Sequence, residues 1–406
     1  MIKTEFFEIA VELGFYGTET GGLFGKKDNV RKYWEDFSIK DLLKPTILEL
    51  LDLKEKIRIT DFGCGSGEAY ELITHISPLE RPTKKDFLLS SEQIELYLGL
   101  DISEAMIKQG CKIYGEKKNM RFMQADLSKD YPFLNEQPFD IYMSTYSSPS
   151  HLTGEELQNL IEKVLIHSSG KAYLVLDLFG RYSPEWPDYW LETNKEMLPY
   201  NMSWLHLPAK LKPEEVESYY VKHWDSNELA EVIKKAAGKL NKSVKIKTKD
   251  RSIFVGRHID TGFYNSHPQP LRYQVNRLFD RDYEGRVDEL KADFSFLNCY
   301  KEKFSSAWER INFYQNKWNA VVNLCGALIE NNNDLIKELI ETADNELSEE
   351  LKMLTWLFRN RQRFPVDNFW ASVMGPQLAC VLRNLELGLP EGIGCGHGLF
   401  CIVEVN

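Results

Sequence analysis

A chain of 406 residues with 43% apolar and 27% charged side chains has the composition of a globular protein, long enough for two domains or for one domain with a large insertion. A net charge of -11 with a pI of about 5.4 argues against a phosphate backbone as partner, so no nucleic acid is expected. Seven scattered cysteines without a C-x-x-C pair, an N-terminus without an apolar core and the lack of any run of 18 apolar residues argue against a disulfide scaffold, a signal peptide and a membrane-spanning helix, so a cytoplasmic protein with reduced thiols is expected.

Residues 1–55 read as an amphipathic helical arm, interrupted at Gly17-Thr-Glu-Thr-Gly21-Gly22 and resuming through Tyr33-Trp34 into an apolar helix over 38–53. From 57 to 180 strands alternate with helices. Strands are expected at 57–62, 96–101, 120–124, 139–144 and 171–178, and helices near 66–76, 103–114 and 153–168. Ser103 is placed to cap the second of these helices, and Thr153 with Glu156 forms a capping box for the third. Such alternation builds a parallel sheet with helical crossovers. Between 179 and 224 aromatic residues reach roughly twice the chain average of 12%, which fits a seam between two lobes and equally an aromatic substrate wall. A helix at 226–240 and a strand region from Ser243 through Gly256 follow. The chain is then mostly helical to 388, with a break at Asn331-Asn-Asn-Asp334, and it closes on a strand at Leu399–Val405. A lone apolar terminal strand needs a sheet partner. The favoured topology therefore threads a helical insertion between 258 and 398; the competing one makes 243–258 a hairpin with an appended helical domain.

The densest signal is the strand and turn Ile57-Arg-Ile-Thr-Asp61-Phe-Gly63-Cys64-Gly65-Ser-Gly67-Glu68. A second strand, Tyr97-Leu-Gly-Leu-Asp101, ends on a carboxylate. A glycine turn after one strand and an acid at the tip of the next is how α/β sheets hold a nucleoside. Two later segments, Phe122-Met-Gln-Ala-Asp126-Leu127 and Phe139-Asp140-Ile-Tyr-Met-Ser144-Thr-Tyr146, follow in order. Together the four segments resemble class I S-adenosylmethionine-dependent methyltransferases. The resemblance covers about 57–258, with 398–406 as a further strand. It implies a Rossmann-like α/β fold, a seven-stranded sheet carrying an N-terminal helical arm and a large helical cap or insertion. The corresponding division is an arm over 1–55, an S-adenosylmethionine-binding core over 56–260 with its last strand at 398–406, and a cap over 261–397.

The resemblance also implies site residues. Asp61 would hold the cofactor ammonium, and Gly63, Cys64, Gly65 and Gly67 would let the backbone approach its methionine part. Asp101 and Ile102 would hold the ribose, and Asp126 and Leu127 the adenine. Ser144 would stand near the transferred methyl, with Tyr33 as a cover from the arm. His151 or Tyr146 would accept a proton from the acceptor. The expected reaction is methyl transfer to an oxygen or nitrogen of a small molecule, with S-adenosylhomocysteine as product. A protein methyltransferase, an inactive binding relative and an NAD-dependent oxidoreductase are the alternatives. The last is weakened because G-x-G-x-x-G would need glycine where Glu68 stands.

The remaining polar residues carry plainer readings. Gly394-Cys395-Gly-His397-Gly398 reads as a turn into the last strand rather than a metal site. His206, His223 and His258 are read as structural, and Arg251, Arg257 and Arg272 as ion-pair partners between lobes rather than binders of a substrate carboxylate. The oligomeric state is left open, a homodimer included.

Overall fold

The structure, a computed structural model, describes residues 11, 28–78, 87–206 and 216–405. The break at 17–22 and the side chain of His206 lie outside the described residues.

One sheet organises the chain. Its strands are β1 (Ile57–Phe62), β2 (Ile94–Asp101), β3 (Met120–Gln124), β4 (Ile141–Ser144) and β5 (Ala172–Gly180), then β9 (Val244–Arg251) and β10 (Gly398–Val405). Between them lie a separate antiparallel hairpin of β6 (Leu198–Asn201) and β7 (Ser218–Val221), and a two-residue β8 (His223–Trp224) that pairs with the end of β5. The order across the sheet is β3-β2-β1-β4-β5-β10-β9. The first five strands are parallel, and β10 runs antiparallel between β5 and β9. All nine residues of β5 are buried, as expected of a strand covered on both faces.

Helices α1 (Asp36–Leu53), α2 (Glu68–Thr74) and α3 (Glu104–Tyr114) cover one face, where Ile39, Leu43, Ile47, Ile73 and Tyr114 meet Ile57, Ile59, Tyr173 and Val175. Helices α4 (Gly154–His167) and α5 (Ser226–Lys239) cover the other, where Leu157, Ile161, Leu229 and Ile233 meet Leu174, Leu176, Leu178 and Val403. The two-residue period of β5 therefore feeds two cores. The caps read from the sequence are present. The Ser103 hydroxyl accepts from the Met106 N–H, and the Thr153–Glu156 box closes both of its bonds. Each such cap contributes about 1 kcal/mol.

The helices α6 (Leu271–Arg277), α7 (Ser305–Glu330), α8 (Asn333–Thr342), α9 (Asn345–Arg359) and α10 (Gly375–Leu387) form a further core around Tyr314, Trp318, Leu378 and Leu382. They leave the sheet after β9 and return as β10, so the helical segment runs between two hydrogen-bonded neighbours of one sheet. The strand region expected through Gly256 stops at Arg251. Ser252 takes a left-handed φ of +59, and the N–H groups of Ser252 and Ile253 donate to the buried carboxylate of Glu386 on α10 instead of to a strand. That carboxylate also accepts from the Trp34 indole, which ties the arm to the helical core. No described helix is long and apolar enough to cross a membrane.

Candidate active site

The glycine turn follows β1 with left-handed φ values of +66, +54 and +98 at Gly63, Gly65 and Gly67. A Cβ on Gly63 would stand 2.5 Å from the Cβ of Ser148, so glycine there admits the loop after β4. The turn is stitched to β2: the Gly63 and Cys64 N–H groups donate to the Leu100 carbonyl, and the Gly65 N–H donates to Asp101 Oδ2 at 2.9 Å. The other Asp101 oxygen accepts from the Ser103 N–H at 2.8 Å. Burial lifts the Asp101 carboxyl to about 6 against the pull of those N–H groups.

Asp101 lines two cavities that meet over the turn. The first, of about 500 Å³, is lined by Ile102, Asp126, Leu127 and Ser144 among others. The second, of about 90 Å³, is lined by Cys64, Gly65 and Tyr146 from the core, Arg31 from the arm, Phe179, Tyr200 and Met202 from the aromatic segment, and Arg251, Arg257 and His397. Gly63, Asp101, Ser148, His151 and Tyr219 belong to both.

Parallel strands in the order 3-2-1-4-5, an antiparallel last strand inserted beside the fifth, a glycine turn after the first and an acid on the second decide the fold. It is that of the class I S-adenosylmethionine-dependent methyltransferases.

No family model matches the chain. It is 26% identical over 139 residues to a ribosomal RNA small subunit methyltransferase A of Borreliella afzelii (strain PKo), a stretch covering 34% of this chain and 42% of that protein. It is 25% identical over 134 residues to the protein of the same name from Borrelia garinii subsp. bavariensis, covering 33% and 41%. The chain thus spans about two-fifths of the length of these relatives. Among solved structures, it is similar to an S-adenosylmethionine-dependent methyltransferase from Clostridium acetobutylicum ATCC 824 at 13% identity and a TM-score of 0.35, covering 53% of this chain and 83% of that one. For DesVI of Streptomyces venezuelae the figures are 14%, 0.35, 62% and 94%.

On this methyltransferase fold the residues expected to meet the nucleoside separate into groups. Asp101, Ile102, Asp126 and Leu127 line the larger cavity together. Their polar groups fit a nucleoside: an acid between two backbone donors for ribose, and an acid beside an apolar neighbour for adenine. At Asp126 burial pushes the carboxyl up, but hydrogen bonds from Ser128 and Lys129 outweigh it and the pKa is lowered. Gly67 lines neither cavity; its lack of a Cβ makes room for the rings of Tyr114 and Phe122. Asp61 also lines neither. It lies behind the turn, where its Oδ2 accepts from the Tyr97 hydroxyl at 2.5 Å and its buried Oδ1 has no partner among the described residues.

Burial raises the Asp61 carboxyl to about 7, further than the Tyr97 hydrogen bond lowers it. The folded state then holds a proton that the unfolded state has lost above pH 4, so this group's contribution to stability falls as pH rises toward 7. Asp61→Asn keeps an acceptor for Tyr97 and removes the charge. Its stability advantage over the parent is expected to widen by about 1.4 kcal/mol per pH unit from pH 5 to near 7, and to level off above. Urea unfolding at pH 5, 6, 7 and 8 measures this; a gap that does not change with pH would remove the charge from the account.

Two expected side chains are committed elsewhere. Tyr33, expected as a cover for the cofactor, is 47% exposed, stacks on Phe279 at 4.9 Å and lines neither cavity. The reason is helical phase: in the π-helical turn Arg31–Glu35, Arg31 and Glu35 face inward and Tyr33 faces out. Tyr146, expected as a proton acceptor, donates its hydroxyl to Asp36 at 2.7 Å, with the Arg31 guanidinium 3.5 Å over its ring. Burial, with Asp36 beside it, holds that phenol well above its usual pKa despite Arg31, and its hydroxyl is spent as a donor to Asp36. His151 lines both cavities and packs against the Tyr219 ring. Burial lowers its pKa to about 4, so it is neutral at pH 7.

The loop after β4 carries strain the sequence does not announce. Tyr146 and Ser147 both have left-handed φ, +56 and +64. The Tyr146 N–H donates to Asp177 on β5, and the Ser148 hydroxyl donates to the Gly63 carbonyl, which holds the loop against the turn.

The arginines do form the ion pairs expected of them. Glu35 is fully buried and pairs with Arg272 at 2.8 Å, Arg257 at 3.7 Å and Arg251 at 3.8 Å, and Arg251 also pairs with Asp177 at 2.8 Å. Arg251 and Arg257 line the second cavity as well, where the alternative role weighed for them, holding a substrate carboxylate, would be exercised. The aromatic segment divides between two surroundings. Trp190 packs in the helical core, and Phe179, Tyr200 and Tyr219 wall the second cavity. His223 and His258 are buried, and burial drives both down to about 3.

Proposed function

We propose that the chain transfers the methyl group of S-adenosylmethionine to an oxygen or nitrogen of a small molecule, binding the nucleoside in the first cavity and the acceptor in the second. The observation that carries this is the second cavity itself. It adjoins the first across Gly63, Asp101, Ser148, His151 and Tyr219, and its walls come from the arm, the aromatic segment and the β9–β10 end of the sheet. This partly aromatic chamber of about 90 Å³, beside the larger nucleoside cavity, would take the reacting end of a small acceptor. The cofactor supplies an electrophilic methyl on a sulfonium, so the protein's task is alignment and, for a hydroxyl acceptor, removal of a proton. Asp101 with Ile102 would orient the ribose, Asp126 and Leu127 the adenine, and the Gly63–Gly65 backbone with Cys64 the methionine part. Among the described residues that line the second cavity, His151 and His397 are the imidazoles within it.

RNA is the second reading, favoured by the names of the two curated relatives and opposed by the net charge of -11. Methyl-labelled S-adenosylmethionine incubated with the protein and a fractionated cell extract separates the two. Label in the small-molecule fraction is expected. Label confined to RNA or to protein would overturn the metabolite reading.

A further inference from the structure

The Gly394–Gly398 run is a turn, but it delivers more than a turn needs. Asp250 at the end of β9 accepts from the N–H groups of Ile393, Gly394 and Cys395 and shapes the bend. The run then passes so close to β5 that a Cβ on Gly180 would stand 2.3 Å from the Gly396 carbonyl. That approach sets His397 into the wall of the second cavity, 3% exposed, its ring edge-on to Phe179 at 5.2 Å. His397 Nδ1 is 2.8 Å from Glu185 Oε1. Glu185 is fully buried and also accepts from the Ser183 hydroxyl and the His258 N–H. Gly256 makes room for it, since a Cβ there would lie 2.1 Å from Glu185 Oε1. A carboxylate on one imidazole nitrogen fixes the tautomer and leaves Nε2 with its lone pair for a substrate; it also balances the imidazolium formed when Nε2 takes a proton.

The same cavity holds an under-used cation. The Arg257 guanidinium stacks 4.5 Å over Trp204 and sits 3.7 Å from Glu35, with no hydrogen bond to another described residue. Arg251 differs, being bonded to Asp177. A largely buried guanidinium that lines a cavity with donors unspent calls for an anion. Phe179 and Tyr200, stacked at 4.6 Å, supply an apolar wall beside it.

We propose that the acceptor is a small hydroxy acid with a flat apolar body, its carboxylate held by Arg257 and its hydroxyl presented to His397, with Glu185 as the positioning residue. This rests on the methyltransferase reading above. In the step, His397 Nε2 takes the hydroxyl proton while an oxygen lone pair forms the O–CH₃ bond, as the C–S bond breaks with its electron pair left on sulfur. The imidazolium then gives its proton to solvent. The products are a methyl ether, S-adenosylhomocysteine and one proton.

Calorimetry on the full chain tests this in two stages. S-adenosylhomocysteine is titrated first, and absence of binding would sink the methyltransferase reading itself. With that ligand saturating, hydroxybenzoates and hydroxycinnamates are titrated against their matched amides. The acids are expected to bind at least tenfold more tightly than the amides. Arg257→Gln is expected to erase that preference while leaving S-adenosylhomocysteine affinity within twofold. His397→Asn and Glu185→Gln are expected to keep acid binding within threefold and to lower label transfer to the bound acid at least 100-fold at pH 7. Transfer by Glu185→Gln is expected to recover in part as pH rises. Equal affinity for acids and amides, or no binding of either, overturns the proposal while leaving the cofactor site intact. Loss of S-adenosylhomocysteine binding in Arg257→Gln overturns it too, by assigning Arg257 to the cofactor.

Discussion

Replacing Asp101 with alanine is expected to lower S-adenosylhomocysteine affinity 10- to 100-fold and to cost about 2–4 kcal/mol of stability. The two effects have separate origins. In the free protein the carboxylate accepts from the Gly65 and Ser103 N–H groups and is 6% exposed. Alanine leaves two backbone donors without that acceptor, at about 1–3 kcal/mol each where water cannot replace it. In the complex the same carboxylate would also take the ribose hydroxyls, and each tenfold of affinity corresponds to about 1.4 kcal/mol. Calorimetry with S-adenosylhomocysteine and urea unfolding of the free protein read the two quantities independently. A folded variant with parental affinity would remove Asp101 from the ribose. A variant of parental stability would show that the turn does not depend on it.

A larger loss of stability is expected from Glu35→Gln, about 3–5 kcal/mol, because the change removes one partner of a buried ion cluster and leaves the others charged. Burial by itself would raise the Glu35 carboxyl, but Arg272, Arg257 and Arg251 outweigh it and hold the pKa well below the usual range. Those arginines come from α6, from the chain after β9 and from β9, and Glu35 belongs to the arm. Losing the carboxylate therefore loosens arm, sheet and helical core at one point. Urea unfolding at pH 7 measures the loss. Arg272 also pairs with Asp28, so the triple variant Asp28→Asn, Glu35→Met and Arg272→Met is expected to be more stable than Glu35→Gln alone, since it removes charge from both sides. A loss under about 1 kcal/mol for Glu35→Gln would mean that water reaches the cluster and screens it.

The parts of this protein legible in the chain were those whose chemistry is local. The glycine turn, the acids closing β1 and β2, the Asp126-Leu127 pair and the helix caps each depend on residues within a few positions of one another. Left-handed φ, end-of-strand geometry and side chain to backbone bonds are short-range effects that leave a mark in consecutive letters. The strands buried on both faces showed themselves as apolar runs for the same reason. Asp61 illustrates the boundary. Its place after the first strand was plain, but its partner is the Tyr97 hydroxyl one strand away, and burial behind the turn, which the Tyr97 bond only partly opposes, sets its charge.

The second cavity had no such mark. Arg31, Phe179, Tyr200, Arg257 and His397 meet there from positions spread over most of the chain. No periodicity or spacing links them, because their meeting is set by where β10 enters the sheet and by the phase of a single π-helical turn. That turn places Arg31 in the cavity and sends Tyr33, two residues on, out against Phe279. Read as letters, both were polar or aromatic members of an arm. Long-range packing, in which each side chain's role depends on the surface it is pressed against, assigned one to the site and the other to the exterior.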